Sequence, residues 1–434
     1  MNKNKEVWIT GFALFSLFFG AGNLLLPPLL GYNSGDQWFW VVLGFVITAV
    51  FIPVLGILAH AKLQGTMFDF GKKVSPAFSF VYCILVYMIS IAIPSPRTAS
   101  ASHEIAIYPF FETTPLLTSS IYFALVLIFV LNRSRIINLI GKYLTPLIAI
   151  IIFLVIGIGL FSSGGGMNAS IFKTPIVDGV LEGYQTFDAI GAVVVGGVII
   201  ISLGLKGINS SAEKKNIIRK SGFIAGTGLA VIYTGLIAVG AFYGSEIFVD
   251  GSLSNDMQRA TLLRGISTAT LGNIGTAFLS VLVALACFTT AVGIVTGTAD
   301  YFKGLFNNSQ KAYTITAIIG CLAGILVGQM DFHTIIVIAL PVLMLIYPIT
   351  IVLIFLNVLP EKWASQLVFR GVVLVTIVFS IPDFLGFVGL KENISGITEM
   401  IPLSSHHMGW VIPAVLSLVL LNLKTFTTKQ PQMS

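Results

Sequence analysis

Charged residues are scarce in this sequence. Only 10% of its 434 residues are Asp, Glu, Lys or Arg, whereas 56% are hydrophobic and the mean hydropathy is +0.95. Because a soluble globular domain carries about 25% charged residues, this composition excludes that class and indicates a polytopic membrane protein. No stretch of the chain is polar and long enough to form a separate soluble domain.

Cysteines and enzyme motifs are also few or absent. The three cysteines fall in apolar stretches, which argues against a disulfide framework and a thiolate metal site. The sequence has neither the lysine-containing glycine loop of ATP-binding proteins nor the Gly-x-Ser-x-Gly motif of hydrolases. We therefore expect no cofactor, no enzymatic activity and an ion gradient as the energy source. The net charge of +6 follows from membrane topology and predicts no nucleic-acid partner.

Apolar windows of about 20 residues predict twelve membrane-spanning helices. They lie near residues 8–31, 37–59, 78–107, 119–131, 136–161, 184–205, 221–243, 272–302, 312–329, 333–358, 366–388 and 409–423. A cytoplasmic N-terminus places most of the 24 Lys and Arg residues on the cytoplasmic side, as the positive-inside rule requires. We therefore expect both termini in the cytoplasm. The longest polar connections are predicted to be outer loops at 162–183, 244–271 and 389–408.

The first span contains a stretch that is a poor continuous helix. Residues 12–31 read FALFSLFFGAGNLLLPPLLG, with Gly20, Gly22 and Asn23 near mid-span and two adjacent prolines one turn later. Glycine leaves a helix at little cost, and proline removes a backbone donor. Broken backbone survives inside a membrane where it is buried in protein or lines a cavity, so the stretch predicts a binding site at mid-membrane. Close helix packing through small residues is the alternative, but it does not explain Asn23 or the prolines.

The sixth span is the predicted partner of the first. If five spans form one unit, a second unit starts on the opposite side of the membrane and is inverted. We expect these units at residues 1–162 and 178–358, with spans eleven and twelve and a cytoplasmic C-terminus at 359–434. Span six carries Asp188, and an acid inside a span usually faces a cavity or a partner. The alternative is an acid at the outer mouth that reaches lipid headgroups.

Span eight carries Thr289 and Thr290 side by side near its middle. Threonine hydroxyls within a span often bond to their own helix. Neutral hydroxyl and carbonyl oxygens are also the ligands that a desolvated alkali cation needs. The pair is predicted to bind a cation only if span eight faces the break in span one.

These stretches resemble a known family. The run at 12–31 resembles the first-span signature of the bacterial branched-chain amino acid carriers, the leucine/isoleucine/valine:cation symporter family. The PRTA run at 96–99 in span three and the GYQTFDA run at 183–189 support the resemblance. Span three departs from the family's Ala-Ile-Pro-Arg-Thr run, because two more residues precede Arg97.

The resemblance implies an all-α membrane protein with a LeuT-like fold, in which two inverted five-helix repeats carry broken helices one and six. It implies a secondary active symporter of the bacterial plasma membrane that imports Leu, Ile and Val with Na+ or H+ by alternating access. The alternative is a cation symporter of the same fold for a different small amino acid or related solute. Its partners would be this small-molecule substrate and membrane lipid.

The resemblance also implies site residues. The unwound backbone of span one takes the substrate carboxylate in that fold, which here points to Gly20, Ala21 and Gly22. Asp188 is implied at the substrate ammonium or in coupling. From their position beside the breaks, Phe18 and Phe187 are predicted to wall an apolar side-chain pocket. The alternative is that these rings face lipid or only pack, since the chain has 33 Phe.

A sodium site in that fold combines first-span oxygens with span-eight hydroxyls. The implied ligands are Ser16 and Phe19, through their carbonyls, with Thr289 and Thr290. Asn23 is implied to hold the helix break or a second cation.

Overall fold

The computed structural model describes residues 3–132, 139–162, 166–252, 255–330, 332–390, 396 and 398–427, and the secondary structure within these ranges is entirely helical. The α-helices, numbered in chain order, are α1 (Lys3–Phe18), α2 (Ala21–Ser34), α3 (Trp38–Val46), α4 (Ile52–Leu63), α5 (Phe68–Gly71), α6 (Pro76–Ala92), α7 (Pro94–Ala101), α8 (Pro115–Leu131), α9 (Thr145–Ser162), α10 (Pro175–Tyr184), α11 (Asp188–Leu205), α12 (Ser211–Phe242), α13 (Asn255–Leu271), α14 (Gly275–Leu305), α15 (Gln310–Val327), α16 (Phe332–Val358), α17 (Gln366–Leu385) and α18 (Val411–Thr427).

Grouped along the chain, these helices correspond to the twelve predicted crossings. Nine segments of the described residues are long and apolar enough to cross a membrane, the first of them combining α2, α3 and α4, and α8 and α18 are shorter apolar helices. The predicted all-α polytopic architecture is therefore confirmed. The start of predicted span five (136–138) and the end of the chain (428–434) lie outside the described residues.

Two of the predicted outer loops contain helices, so the prediction was wrong there. α10 occupies the second half of 162–183, and α13 occupies most of 244–271. Both escaped detection for physical reasons. The ten residues of α10 are half the length of an apolar window that spans a bilayer, and α13 is rich in polar residues.

Span one is broken at its glycines and not at its prolines. α1 ends at Phe18, α2 begins at Ala21, and α2 then continues through Pro27 and Pro28. Gly20 has an extended backbone (φ −107°, ψ −164°), which residues other than glycine also adopt. Glycine is needed there for another reason, because a Cβ at this position would lie 2.9 Å from Oγ1 of Thr290.

Span six breaks without a glycine. α10 ends at Tyr184, α11 begins at Asp188, and Phe187 between them has a φ of +63°. A bulky side chain in this left-handed region is strained by roughly 1–3 kcal/mol, and such residues persist where the surrounding structure holds them.

The two broken spans pack in a related way. Both halves of span one, α1 and α2, pack against α12 in span seven, whereas α10 and α11 of span six pack against α3 and α4 in span two. Span seven therefore stands to span one as span two stands to span six. This correspondence is expected for two inverted units. The unit boundaries at residues 162, 178 and 358 stay predictions.

Glycines bring these helices together. A Cβ on Gly31 or Gly240 would lie within 2.0 Å of a carbonyl oxygen across the α2–α12 crossing. Gly44 and Gly179 meet facing carbonyls in the same way at the α3–α10 crossing. Small residues allow such close backbone approach in membranes. In the first span, Gly20 therefore lies at the helix break, whereas Gly31 serves close helix packing.

Candidate substrate and ion site

The two helix breaks meet at one internal cavity of about 50 Å³. Its walls come from spans one, three, six and eight. Its polar lining is Asn23, Ser90, Arg97, Thr98, Thr186, Asp188 and Thr290, and its larger apolar lining is Leu17, Phe18, Phe187, Ile190, Val194, Val195 and Ile294. Two grooves of about 450 and 740 Å³ also exist, but their lining is almost wholly apolar and includes neither helix break.

Asp188 is buried at this cavity, with 3% of its surface exposed. Its Oδ2 accepts hydrogen bonds from Nδ2 of Asn23 at 2.6 Å and from the hydroxyl of Tyr233 at 3.3 Å. Asn23 also donates to Tyr233 and accepts from the amide of Gly20 at 3.3 Å. Asp188 is the first residue of α11, where the helix dipole favours a negative charge. It therefore joins the two breaks and does not reach lipid headgroups.

The threonine pair of span eight faces the break in span one. Oγ1 of Thr289 donates to the carbonyl of Ser16 at 2.9 Å and accepts from the Ser16 hydroxyl at 3.0 Å. Oγ1 of Thr290 donates to the carbonyl of Leu17 at 3.3 Å. Thr289 also bonds to its own helix through the carbonyl of Ala286. The geometric condition for a cation site is thus met, and cation binding itself stays a prediction.

The predicted phenylalanines have different surroundings. Phe18 and Phe187 line the cavity. The ring of Phe19 is fully buried and stacks on Phe15, with 5.4 Å between ring centroids, and on Tyr233. A role for Phe19 in ion binding therefore depends on its backbone carbonyl and stays a prediction.

Arg97 approaches the same cavity from span three. Its helix α7 begins after a kink at Ile93, and 3% of its surface is exposed. Nη1 donates to the carbonyl of Gln185 in the break of span six at 3.1 Å, and the guanidinium carbon lies 5.9 Å from the centroid of the Phe187 ring.

Sequence reasoning missed two tyrosines at the site. Tyr233 of span seven bonds to Asp188, and the hydroxyl of Tyr347 in span ten accepts from the amide of Ala189 at 3.3 Å. A tyrosine in the middle of an apolar span needs a partner for its hydroxyl, and this signal was available for both residues.

Ion pairs involve the broken spans at both ends. At one end, Nζ of Lys206 just after α11 contacts Oε1 of Glu6 in the first turn of α1. At the other end, Nη2 of Arg259 on α13 contacts Oε2 of Glu182 at 3.4 Å and Oε1 of Gln185 at 3.2 Å. The first contact therefore joins the two broken spans to each other, and the second joins span six to α13.

Known proteins resemble this chain over nearly its whole length. The sequence model of the family described as "Branched-chain amino acid transport protein" matches residues 3–427. The branched-chain amino acid transport system 2 carrier protein of Pseudomonas aeruginosa is 32% identical over 96% of this chain and 95% of its own. The branched-chain amino acid permease BraB of Bacillus subtilis is 32% identical over 96% and 94%.

Solved structures show the fold. A Na+-coupled sialic acid symporter superposes with a TM-score of 0.62 over 98% of this chain and 90% of its own, at 14% identity. At this identity the likeness establishes architecture alone. The LeuT-like fold with broken spans one and six is thereby confirmed.

Proposed function

Since this chain belongs to the family of branched-chain amino acid transport proteins, we propose that it imports Leu, Ile and Val across the bacterial plasma membrane by symport with a cation. We propose Na+ as that cation and keep H+ as the alternative. The protein is a multi-pass membrane transporter and not an enzyme. The observation that carries the proposal is the cavity where both helix breaks and Thr290 meet.

The substrate carboxylate fits the N-terminus of α2. The first amides of a helix, here those of Ala21 and Gly22, have no acceptor within it. The positive end of the helix dipole favours a carboxylate at the same place. Asp188, held by Asn23 and Tyr233, supplies the opposite charge for the substrate ammonium.

The apolar side of the cavity fits a branched side chain. Phe18, Phe187, Ile190, Val194 and Ile294 line it. An apolar pocket separates substrates that differ by one methylene by only about 1–3 kcal/mol. Acceptance of Leu, Ile and Val by one site is therefore expected.

Sodium fits at the C-terminal end of α1. Because α1 ends at Phe18, the carbonyls of Ser16 and Leu17 are not followed by a further helical turn that would supply their donors. The hydroxyls of Thr289 and Thr290 reach these two carbonyls. Rotation of those hydroxyls would leave carbonyl and hydroxyl oxygens around one cation, the ligand type used at broken helices of transporters. This donor set consists of neutral oxygens and favours Na+ over H+.

The two ion pairs suggest how alternating access would work. With both termini in the cytoplasm, the Glu6–Lys206 pair joins spans one and six to each other at the cytoplasmic end, and the Arg259–Glu182 pair joins span six to α13 at the outer end. We propose that spans one and six rock as one unit against the remaining helices, so that the Arg259–Glu182 pair opens and re-forms while the Glu6–Lys206 pair keeps the two spans together.

Uptake of radiolabelled leucine into proteoliposomes tests the proposal. A sodium gradient and a proton gradient are imposed separately, and unlabelled Ile, Val, Ala and Phe are added as competitors. Protein-free liposomes and collapse of each gradient by an ionophore serve as controls.

We expect uptake driven by sodium and inhibited by Ile and Val. Uptake driven only by protons would keep the substrate and exclude Na+ as the coupling ion. If Ala or Phe competes and is transported while Leu is not, the alternative of another small amino acid replaces the branched-chain assignment.

A further inference from the structure

Arg97 brings a positive charge to a place where the membrane makes charge costly. A buried cation in a span is expensive unless it meets polar or anionic groups. The kink at Ile93 separates α6 from α7, and both Pro94 and Arg97 of the new helix line the cavity. The bend in span three therefore carries Arg97 into the substrate site and away from lipid.

The guanidinium of Arg97 lies beside the predicted carboxylate site. A Cβ added to Gly22 would lie 3.5 Å from both Nη1 and Nη2 of Arg97. Because Gly22 has no side chain, the backbone in the first turn of α2 is open toward the guanidinium at this position. Helix N-terminus and guanidinium thus face one small volume, and both attract an anion.

The opposite charge of the site, on Asp188 of α11, is bound by the residue that follows Gly22. Asn23, which follows Gly22, holds the carboxylate of Asp188 at 2.6 Å. Both Arg97 and Asp188 line the cavity. An α-amino acid carries its carboxylate and its ammonium on one carbon, so a zwitterion matches this pair of charges, whereas an amine or a keto acid leaves one of them without a ligand partner.

We propose that Arg97 binds the α-carboxylate of the transported amino acid, together with the backbone amides at the start of α2. This proposal rests on the proposed transport function and adds a specific role for span three. Guanidinium is suited to it, because its planar donors match the two oxygens of a carboxylate. The site then selects zwitterionic amino acids by charge, and the apolar wall selects among their side chains.

Binding of leucine and leucinamide to the full-length purified protein tests the role of Arg97. Leucinamide keeps the ammonium and the side chain but has a neutral amide in place of the carboxylate. Both affinities are measured for the wild type, Arg97→Gln and Arg97→Lys by competition with radiolabelled leucine or by ligand-dependent thermal stabilisation. Arg370→Gln is the matched control, because Arg370 also donates to a backbone carbonyl, that of Val74, at the far cytoplasmic end of span eleven.

We expect the wild type and Arg370→Gln to prefer leucine by roughly 10- to 100-fold, the range for a hydrogen bond between charged groups. Arg97→Gln should weaken leucine by a similar factor, change leucinamide by less than about threefold, and so remove most of the preference. Arg97→Lys, which keeps the charge without the planar donors, should retain part of it.

Equal weakening of leucine and leucinamide in Arg97→Gln would mean that Arg97 only clamps the break of span six, and it would overturn the proposal. If neither variant folds, the wild type still decides, because equal affinity for the two ligands also overturns it. If Arg97→Gln binds leucine and keeps the wild-type preference over leucinamide, this inference fails and the proposed function stands. A wild type that binds no amino acid defeats the proposed function together with it.

Discussion

The breaks in spans one and six occupy related positions in two inverted units, yet they are built differently. The first consists of Phe19 and Gly20, with an extended backbone and a close approach to Thr290. The second consists of residues 185–187, contains no glycine, and has Phe187 in the left-handed region. The freed carbonyls of the first meet neutral hydroxyls of span eight, whereas the carbonyl of Gln185 in the second meets the guanidinium of Arg97.

This difference gives the two breaks different ligand chemistry. Neutral oxygens at the end of α1 suit a metal cation that must leave again, because no full charge holds it. Charged groups at the second break suit a substrate that carries charges of its own, and in the proposed site the substrate carboxylate also meets the first break, at the start of α2. The inverted repeat thus supplies two helix breaks, and the side chains facing each break set the chemistry available there.

The largest effect is expected from filling the first break. Gly20→Ala adds a Cβ 2.9 Å from Oγ1 and 3.2 Å from Cγ2 of Thr290, so the threonine side chain or one of the helices must move. Overpacking costs about 1–3 kcal/mol, and the cation site loses its geometry as well. We expect leucine uptake to fall roughly 100-fold, measured as initial rates in proteoliposomes with equal protein content.

Gly197→Ala on α11 is the control for that substitution, because its Cβ would meet only His60, at 4.0 Å. It should transport like the wild type. The double variant Gly20→Ala/Thr290→Ala removes two of the clashing atoms and should recover leucine binding better than sodium dependence. A single Gly20→Ala variant with normal uptake would show that close contact between spans one and eight is not required.

The second-largest effect is expected at Asp188. Asp188→Asn keeps the shape and removes the charge, and we expect leucine affinity to fall by roughly 10- to 100-fold because a hydrogen bond to a charged group is lost. If Na+ drives transport, the remaining uptake should keep its sodium dependence. If H+ drives it through Asp188, proton-driven uptake should disappear.

Asp178→Asn is the matched control for Asp188. Asp178 also lies in the first turn of a half-helix of span six, but it accepts from the amide of Thr174 at 3.2 Å and is outside the cavity lining. Normal leucine affinity and normal coupling in Asp188→Asn would exclude Asp188 from both substrate binding and coupling.

A feature could be predicted from the sequence when it depends on residues that are close together along the chain. Twelve spans, the break at Gly20 and the acid at Asp188 follow from apolar length, backbone chemistry and the cost of charge, all of which are local properties. The half-helix α10 was missed because ten residues do not fill a spanning window. Pro27 and Pro28 suggested a break in the helix, but α2 continues through both residues.

Hydrogen bonds between residues far apart in the chain could not be predicted from the sequence. The bond between Asn23 and Asp188 joins residues 165 positions apart, and the bond between Ser16 and Thr289 joins residues 273 apart. Only packing of spans one, six, seven and eight creates these contacts. A threonine pair alone has two interpretations. The structure places the pair opposite the end of α1, which meets the condition for a cation site, and cation binding stays a prediction.

A smaller effect is expected from the hydroxyls of span eight. Thr289→Ala and Thr290→Ala each remove one oxygen beside α1, worth about 1 kcal/mol. We expect the sodium concentration for half-maximal uptake to rise by roughly fivefold, with a lesser change in leucine affinity at saturating sodium. Thr298→Ala is the control, because its hydroxyl bonds to Ile294 in its own helix at 2.9 Å. Unchanged sodium dependence in both variants would remove the pair from the ion site.

The smallest effect is expected at Tyr233, which supports the second break from span seven. Tyr233→Phe removes a hydroxyl that bonds to Asp188 and Asn23 but leaves the ring packed against Phe19 and Phe45. We expect leucine affinity to fall by about three- to fivefold, since Asp188 keeps its bond to Asn23 and loses one worth about 1 kcal/mol. Tyr243→Phe, just after the end of the same helix, removes a hydroxyl bonded to Ser162 at 2.8 Å and should leave binding unchanged. If Tyr233→Phe alters sodium dependence and spares leucine affinity, the bonds of Tyr233 to Asp188 and Asn23 support the ion site and not the substrate site.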